Sequence, residues 1–175
     1  ARSVATSHLV DRVAEARGLP LYETPVGFKF IGELINEDKI VIGGEESAGL
    51  SIKGHYPEKD GILACLLAAE AVATRGASLS EQLAELYKRV GRLESGRLGV
   101  RLTPEIAASL PEKLKQDPTE IGGRPIKLTN RMDGVKFIFE DGSWLLMRPS
   151  GTEPLVRVYA ESESNKDLEV LLEQG

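Results

Sequence analysis

An α/β unit followed by a smaller α+β unit is the fold class this sequence predicts, and three observations predict it. Over residues 1–93, apolar runs of strand character alternate with helical stretches, the pattern of a parallel sheet with helices packed on it. From residue 94 to 175 the pattern changes: three short strand-like runs follow one another, separated by Asp133-Gly134 and Asp141-Gly142. Aspartate-glycine pairs between alternating strands are hairpin signals, so this half predicts an antiparallel sheet covered by helices. The composition, 41% hydrophobic and 28% charged over 175 residues, allows each domain its own core.

The chain opens into a helical pattern, with Val4, Leu9, Val10, Val13 and Ala14 recurring at helical spacing until Gly18, and Pro20 just beyond. No strand is expected ahead of that helix, so the first domain reads as truncated, a piece of a longer protein. An unpaired sheet edge would be its mark. Leu19 to Glu23 predicts a short strand, followed by the loop from Thr24 to Lys29 and a helix through about Asn36. Lys39-Ile40-Val41-Ile42-Gly43 has the β-branched run of a buried parallel strand and feeds the loop Gly44-Glu45-Glu46-Ser47-Ala48-Gly49. Asp60 is placed to cap a helix from Gly61 to Arg75 that ends at Gly76, and Ser78 with Glu81 forms a capping box for Leu79 to Val90. The eight apolar residues Ile62 to Ala69 predict that the first of these helices is buried, with Cys65 as a small core residue. Three glycines between Gly91 and Gly99 predict a flexible join.

In the second half, Arg97 to Leu102 predicts a strand, Pro104 to Gln116 a helix disturbed by Pro111, and Gln116 to Pro125 a loop-rich stretch. Ile126 to Asn130, Val135 to Glu140 and Ser143 to Arg148 form the meander. Leu155 to Glu161 adds a fourth strand, before a closing helix from about Asn165 to Glu173. Trp144 alternates with Leu146 and is expected to pack in the sheet.

Composition excludes several function classes. A net charge of −5 disfavours broad binding to nucleic acid or an anionic membrane, leaving room for a small phosphorylated ligand in a local basic pocket. Glu70 interrupts the longest apolar run well short of a membrane span, no secretory signal is visible, and a single cysteine suits a reducing cytoplasm.

The most informative stretch is Arg148-Pro149-Ser150-Gly151-Thr152-Glu153-Pro154, lying between two apolar strand runs. Arg148 offers a charged fork matched to phosphate oxygens, and Ser150 and Thr152 add hydroxyl donors. Gly151 lets the backbone approach an anion. Together they predict a phosphate cradle on a strand-to-strand connection. Arg157, on the strand that follows, can return to the same mouth or form a surface ion pair; both readings stand.

These residues resemble the third and fourth domains of the α-D-phosphohexomutases, the family that includes phosphoglucomutase and phosphomannomutase. The resemblance is carried in order by Thr-Pro-Val-Gly-Phe-Lys-Phe at residues 24–30, Gly-Gly-Glu-Glu-Ser-Ala-Gly at 43–49, Lys-Asp-Gly-Ile at 59–62 and Arg-Pro-Ser-Gly-Thr-Glu-Pro at 148–154. It implies that Glu45 and Ser47 read two sugar hydroxyls, with Lys29 near the ligand, and that Arg148, Ser150, Gly151, Thr152 and Arg157 hold the phosphate that is not being transferred. A glycine-rich αβ turn in which Glu45 and Glu46 merely cap the next segment is the other reading of the sugar loop, and a solvated lysine that of Lys29. The intact family enzyme moves a phosphoryl group between O1 and O6 of a hexose through a phosphoserine, Mg²⁺ and glucose 1,6-bisphosphate. Neither the serine loop nor the aspartate-rich metal loop is found here, so no catalytic or metal residue is expected in this chain. The resemblance further implies a hexose phosphate substrate and the family's N-terminal domains as partners. The form Glu-Glu-Ser-Ala-Gly resembles phosphoglucomutases, whereas many phosphomannomutases and phosphoglucosamine mutases carry histidine where Gly49 stands; a fragment of one of those mutases and a non-catalytic phosphosugar-binding module are the other readings.

Overall fold

In the computed structural model, which describes residues 1–150 and 153–175, the chain forms two compact units, Ala1–Arg92 and Leu93–Gly175. The first unit runs β1 (Arg2–Ser3), α1 (Leu9–Ala16), β2 (Glu23–Thr24), α2 (Phe28–Asn36), β3 (Ile42–Gly44), β4 (Leu50–Ile52), α3 (Gly61–Arg75) and α4 (Leu79–Val90). Its sheet has the order β2-β1-β3-β4, with β1 parallel to both neighbours and β4 antiparallel to β3.

The expectation of no strand before the first helix is therefore corrected. Strand β1 lies inside the sheet, and the helix begins at Leu9 rather than Val4. Two residues are too few to display a period of two, and Val4 happens to fall in helical spacing with Leu9 and Val13. Arg2 is buried within β1 because its guanidinium meets Asp11 at 2.9 Å and Glu23 at 2.6 Å. Such pairing is what allows a charge inside. Helix α2 supplies the apolar core of this unit, where Phe28, Ile31 and Ile35, one helical face, close on Ile40.

Helix α3 departs from expectation. None of its residues is buried, Ile62 and Leu66 are 76% and 63% exposed, and Cys65 is exposed rather than in the core. A run that is apolar on every side does not say which side will pack, and here only the face toward β4 and α4 does so. Val41 and Ile42 are likewise exposed, so β3 is not the fully buried strand its residues suggested. Strand β2 forms at Glu23–Thr24 rather than over the predicted Leu19 to Glu23. Among the described residues no single helix is long and apolar enough to cross a membrane.

Two caps form as the sequence indicates: the Asp60 carboxylate accepts from the amides of Ile62 and Leu63, and Ser78 and Glu81 form a reciprocal capping box. At the last helix Ser164, not singled out in the sequence, accepts from the Asp167 amide and donates its hydroxyl to the Asp167 carboxylate. These bonds favour the ionised carboxylates. The Leu63 amide and then His55 lower the pKa of Asp60, the Ser78 side chain and amide that of Glu81, and Ser164 then Arg124 that of Asp167. A lowered folded-state pKa contributes stability that is present above the unfolded value and lost as pH falls through the folded one. The melting temperature is therefore expected to fall on acidification below about pH 4, the ordinary carboxylate range. Asp60→Asn should show a shallower fall, and an equally steep one would exclude the Asp60 contribution.

The second unit runs β5 (Glu94–Arg101), α5 (Pro104–Leu114), β6 (Glu120–Ile121), β7 (Arg124–Asn130), β8 (Val135–Phe139), β9 (Trp144–Pro149), β10 (Leu155–Ser162) and α6 (Asn165–Gln174). Its six strands lie in the order β5-β10-β9-β8-β7-β6, with every neighbouring pair antiparallel. Two expectations change here. The proposed flexible join is largely strand, because β5 begins at Glu94, and the loop-rich stretch contains the short β6. One face of the sheet forms the core, with Val135, Phe137, Leu145, Val156, Val158 and Ala160 against Leu168 and Leu171 of α6. On the opposite face, buried Trp144 donates its Nε1–H to Glu161 at 2.9 Å, Ser95 donates to the same carboxylate at 2.7 Å, and Lys136 Nζ sits 3.9 Å from the Trp144 ring centroid. The buried Glu161 and Lys136 thus each have a partner, as burial demands.

Candidate functional site

In the first unit, the loop of residues 44–49 is the turn of the β3–β4 hairpin, closed by the Glu45 amide donating to Gly49 O at 2.9 Å and the Ala48 amide donating to Glu45 O at 3.0 Å. It joins two strands and is not the αβ turn of the alternative reading. The two glutamates separate. Glu45 Oε1 accepts from the Gly27 amide at 2.7 Å and so ties this hairpin to the Thr24–Lys29 loop, whereas Glu46 Oε2 accepts from Ser3 Oγ at 3.1 Å and its amide donates to Thr6 Oγ1. Ser47 is exposed at the tip, and no hydrogen-bond partner of its hydroxyl is found among the described residues. Lys29 lies in the first turn of α2, exposed, with Nζ 4.7 Å from the Phe30 ring centroid.

Lys59 is the residue here that sequence reasoning passed over. A β-carbon on Gly49 would lie 3.4 Å from the Lys59 side chain and 3.3 Å from Phe28, so the lysine stem packs against the hairpin at Gly49 while its Nζ meets Glu58 at 3.0 Å. The motif at residues 59–62 was the available signal, but its Asp60 was read as a cap and its lysine left aside. Lys53 and His55, which follow the hairpin, pair with Asp38 at 3.0 Å and Asp60 at 2.9 Å.

In the second unit, the Arg148 to Pro154 stretch joins β9 to β10 at the end of the last hairpin. Gly151 and Thr152 lie outside the described residues. The Ser150 amide donates to Leu155 O at 2.8 Å and its hydroxyl accepts from the Glu153 amide at 3.3 Å, so the loop ends are fixed. Arg148 Nε donates to Asp133 at 2.8 Å, an ion pair in which both side chains are about one-fifth exposed. The Nε–H is the back edge of the fork, so this bond steers the guanidinium. The Asp133-Gly134 turn can come so close because a β-carbon on Gly134, whose φ is +83°, would collide with the Met147 carbonyl oxygen and lie 3.0 Å from Arg148 Cα. That pair was read only as a hairpin signal, and its role beside Arg148 was not foreseen.

Arg157 stands directly opposite Arg148 in the β9–β10 ladder. It pairs with Glu153, four residues before it, at 3.3 Å rather than with a residue across the ladder, and the Tyr159 side chain, followed by Glu153, raises its pKa. Like charges directly opposite each other in a sheet are destabilising. Two cross-strand arginines therefore make a place where an anion would be favoured.

Metal chemistry finds no seat in these donors. Among the described residues no group of three or more His, Cys, Asp or Glu side chains is gathered to hold an ion.

The first unit matches the family profile described as phosphoglucomutase/phosphomannomutase, alpha/beta/alpha domain III, over residues 1–90, and the second matches the C-terminal domain of the same family over residues 100–174. The chain is 36% identical over 178 residues to a phosphoglucomutase of Komagataeibacter xylinus, covering 92% of this chain and 32% of that protein. It is 32% identical to the phosphoglucomutase/phosphomannomutase of Thermococcus kodakarensis, covering 99% of this chain and 36% of that protein. Among solved structures, the phosphoglucomutase pp63/parafusin of Paramecium in its open form superposes with a TM-score of 0.75 at 28% identity, covering 98% of this chain and 35% of that one. The chain spans about a third of the length of these relatives.

Proposed function

Because this chain belongs to the phosphoglucomutase/phosphomannomutase family, as third and C-terminal domains, we propose that it supplies the hexose phosphate recognition half of a cytoplasmic phosphoglucomutase, the intact enzyme interconverting glucose 1-phosphate and glucose 6-phosphate. In this reading Glu45 and Ser47 meet two neighbouring sugar hydroxyls, and Lys29 and Lys59 face the same ligand. Arg148, Ser150, Gly151, Thr152 and Arg157 hold the resting phosphate. A carboxylate accepts from two adjacent hydroxyls, and a serine can donate or accept, so a loop with both is suited to a vicinal diol. Glu45 is held by the Gly27 amide through one oxygen, which orients the carboxylate. Holding the unreactive phosphate converts a diffusive encounter into a positioned one.

The observation that carries this reading is the Arg148–Arg157 pair on adjacent strands, each steered by a carboxylate, at a loop of phosphate-binding composition. In the intact enzyme the phosphoserine, Mg²⁺ and glucose 1,6-bisphosphate would serve the transfer. Among the described residues of this chain no group of three or more His, Cys, Asp or Glu side chains is gathered to hold that metal. Glucose phosphates are favoured because the loop form Glu45-Glu46-Ser47-Ala48-Gly49 resembles that of phosphoglucomutases, with mannose 1-phosphate as a second candidate substrate.

Titrating glucose 1-phosphate into the ¹⁵N-labelled chain tests the proposal by NMR. Selective shifts are expected at the amides of Arg148, Ser150, Gly151, Thr152 and Arg157, with glucose alone leaving them unmoved. Shifts absent there, or equal throughout the chain, would overturn it.

A further inference from the structure

Strand β5 lies beside β10, and its register places Gly99 opposite Arg157, Arg97 opposite Tyr159 and Arg101 opposite Leu155. Opposed residues in an antiparallel ladder share a face, and so do residues two apart on one strand. Arg97, Gly99 and Arg101 therefore lie on the same side of the sheet as Arg157 and Arg148. The core side of β5 is marked instead by Gly96, where an added β-carbon would touch Leu168 and Leu172 of the α6 segment. Nothing lies within 4 Å of a β-carbon built on Gly99. The basic face thus has a bare spot, with one arginine before it, one after it and a third across the ladder. The Leu102 amide, donating to Pro154 O at 3.0 Å, fastens the end of β5 to the phosphate loop.

Charge decides what this arrangement can do. Arg148 and Arg157 are each answered by a carboxylate, Asp133 and Glu153, so the two arginines of the loop hairpin leave no net positive charge with their partners. Further along the same face the buried Lys136 and Glu161 carry one charge of each sign. Arg97 and Arg101 have no ion-pair partner among the described residues. The four guanidiniums with their two carboxylates then leave two positive charges. A phosphate monoester carries about −1.5 to −2 at neutral pH, which matches them.

We infer that β5 supplies the uncompensated charge of the phosphate site. Arg97 and Arg101 flank the bare backbone at Gly99, and together with Arg157 and Arg148 they take one phosphate monoester group, the sugar being held from elsewhere. This inference rests on the reading of the β9–β10 loop as a phosphate site and adds to it two arginines and a glycine on a strand outside the loop motif. Without them that site would be close to electrically neutral.

The test measures affinity for glucose 1-phosphate and for inorganic phosphate at low and high salt, in the unaltered chain and in Gly99→Leu, Arg101→Gln, Arg97→Gln and Arg148→Gln. Each β5 arginine variant is expected to bind both anions about fivefold more weakly, the factor equivalent to about 1 kcal/mol of exposed charge attraction, and to lose part of the salt dependence. Gly99→Leu should weaken binding by covering the bare spot while leaving the melting temperature unchanged or higher, since glycine weakens a strand interior. A merely structural role for β5 would not separate binding from stability in this way. If Arg148→Gln weakens binding but Gly99→Leu and both β5 arginine variants bind as the unaltered chain does, the β5 inference is wrong and the loop reading survives. If the unaltered chain binds neither anion at low salt, both are wrong.

Discussion

Replacing Arg148 with alanine is expected to weaken glucose 1-phosphate binding by about 10- to 100-fold, the equivalent of removing a charge-assisted hydrogen bond of about 1.5–3 kcal/mol. The size follows from where the guanidinium stands. Its Nε is held by Asp133, its side chain is about one-fifth exposed, and Arg157 faces it across the ladder. A fork anchored at its back edge loses little further freedom on meeting a phosphate, so most of the interaction survives as affinity. Arg148→Lys should fall between the two proteins, since it keeps the charge and loses the paired donors. Calorimetric titration of the three proteins is the measurement. An alanine variant that binds within twofold of the unaltered chain would remove Arg148 from the site.

Gly134→Ala should destabilise the chain by about 2–4 kcal/mol, the sum of a left-handed backbone forced on a residue with a side chain and a clash in a packed position. The clash is with main chain. The added carbon would collide with the Met147 carbonyl oxygen and press on Arg148 Cα, neither of which can swing aside as a side-chain end could. Relief requires the Asp133-Gly134 turn to lift from β9, and that movement carries Asp133 away from Arg148. Stability and phosphate affinity should therefore fall together. Urea unfolding measures the first and the glucose 1-phosphate titration the second. A loss below about 1 kcal/mol would show that the turn yields freely and that Gly134 does not position Arg148.

Local chemistry was legible wherever one segment decides its own shape. Asp60, the Ser78–Glu81 box and Gly76 closed their helices as their residue types indicate, because a cap is a contract between residues a few positions apart. The aspartate-glycine turns and the strands on either side of them were readable for the same reason. Segments whose fate depends on a distant partner were not. Strand β1 owes its place to β2 and β3, and its two residues carry no periodicity of their own. Cys65 sits on an apolar helix face that nothing in the unit covers, so its exposure could not be inferred from its neighbours in sequence.

Residue types in consecutive order were enough for the family, the fold class and the short motifs from which a phosphosugar site would be made. How those motifs are partnered came from the folded chain. It gave Glu45 to Gly27 and Glu46 to Ser3, set Asp133 on Arg148, and brought Arg97, Gly99 and Arg101 level with Arg157. The physical reason is that ion pairing and strand register act between residues far apart in the chain, where a shift of one position turns every side chain to the other face.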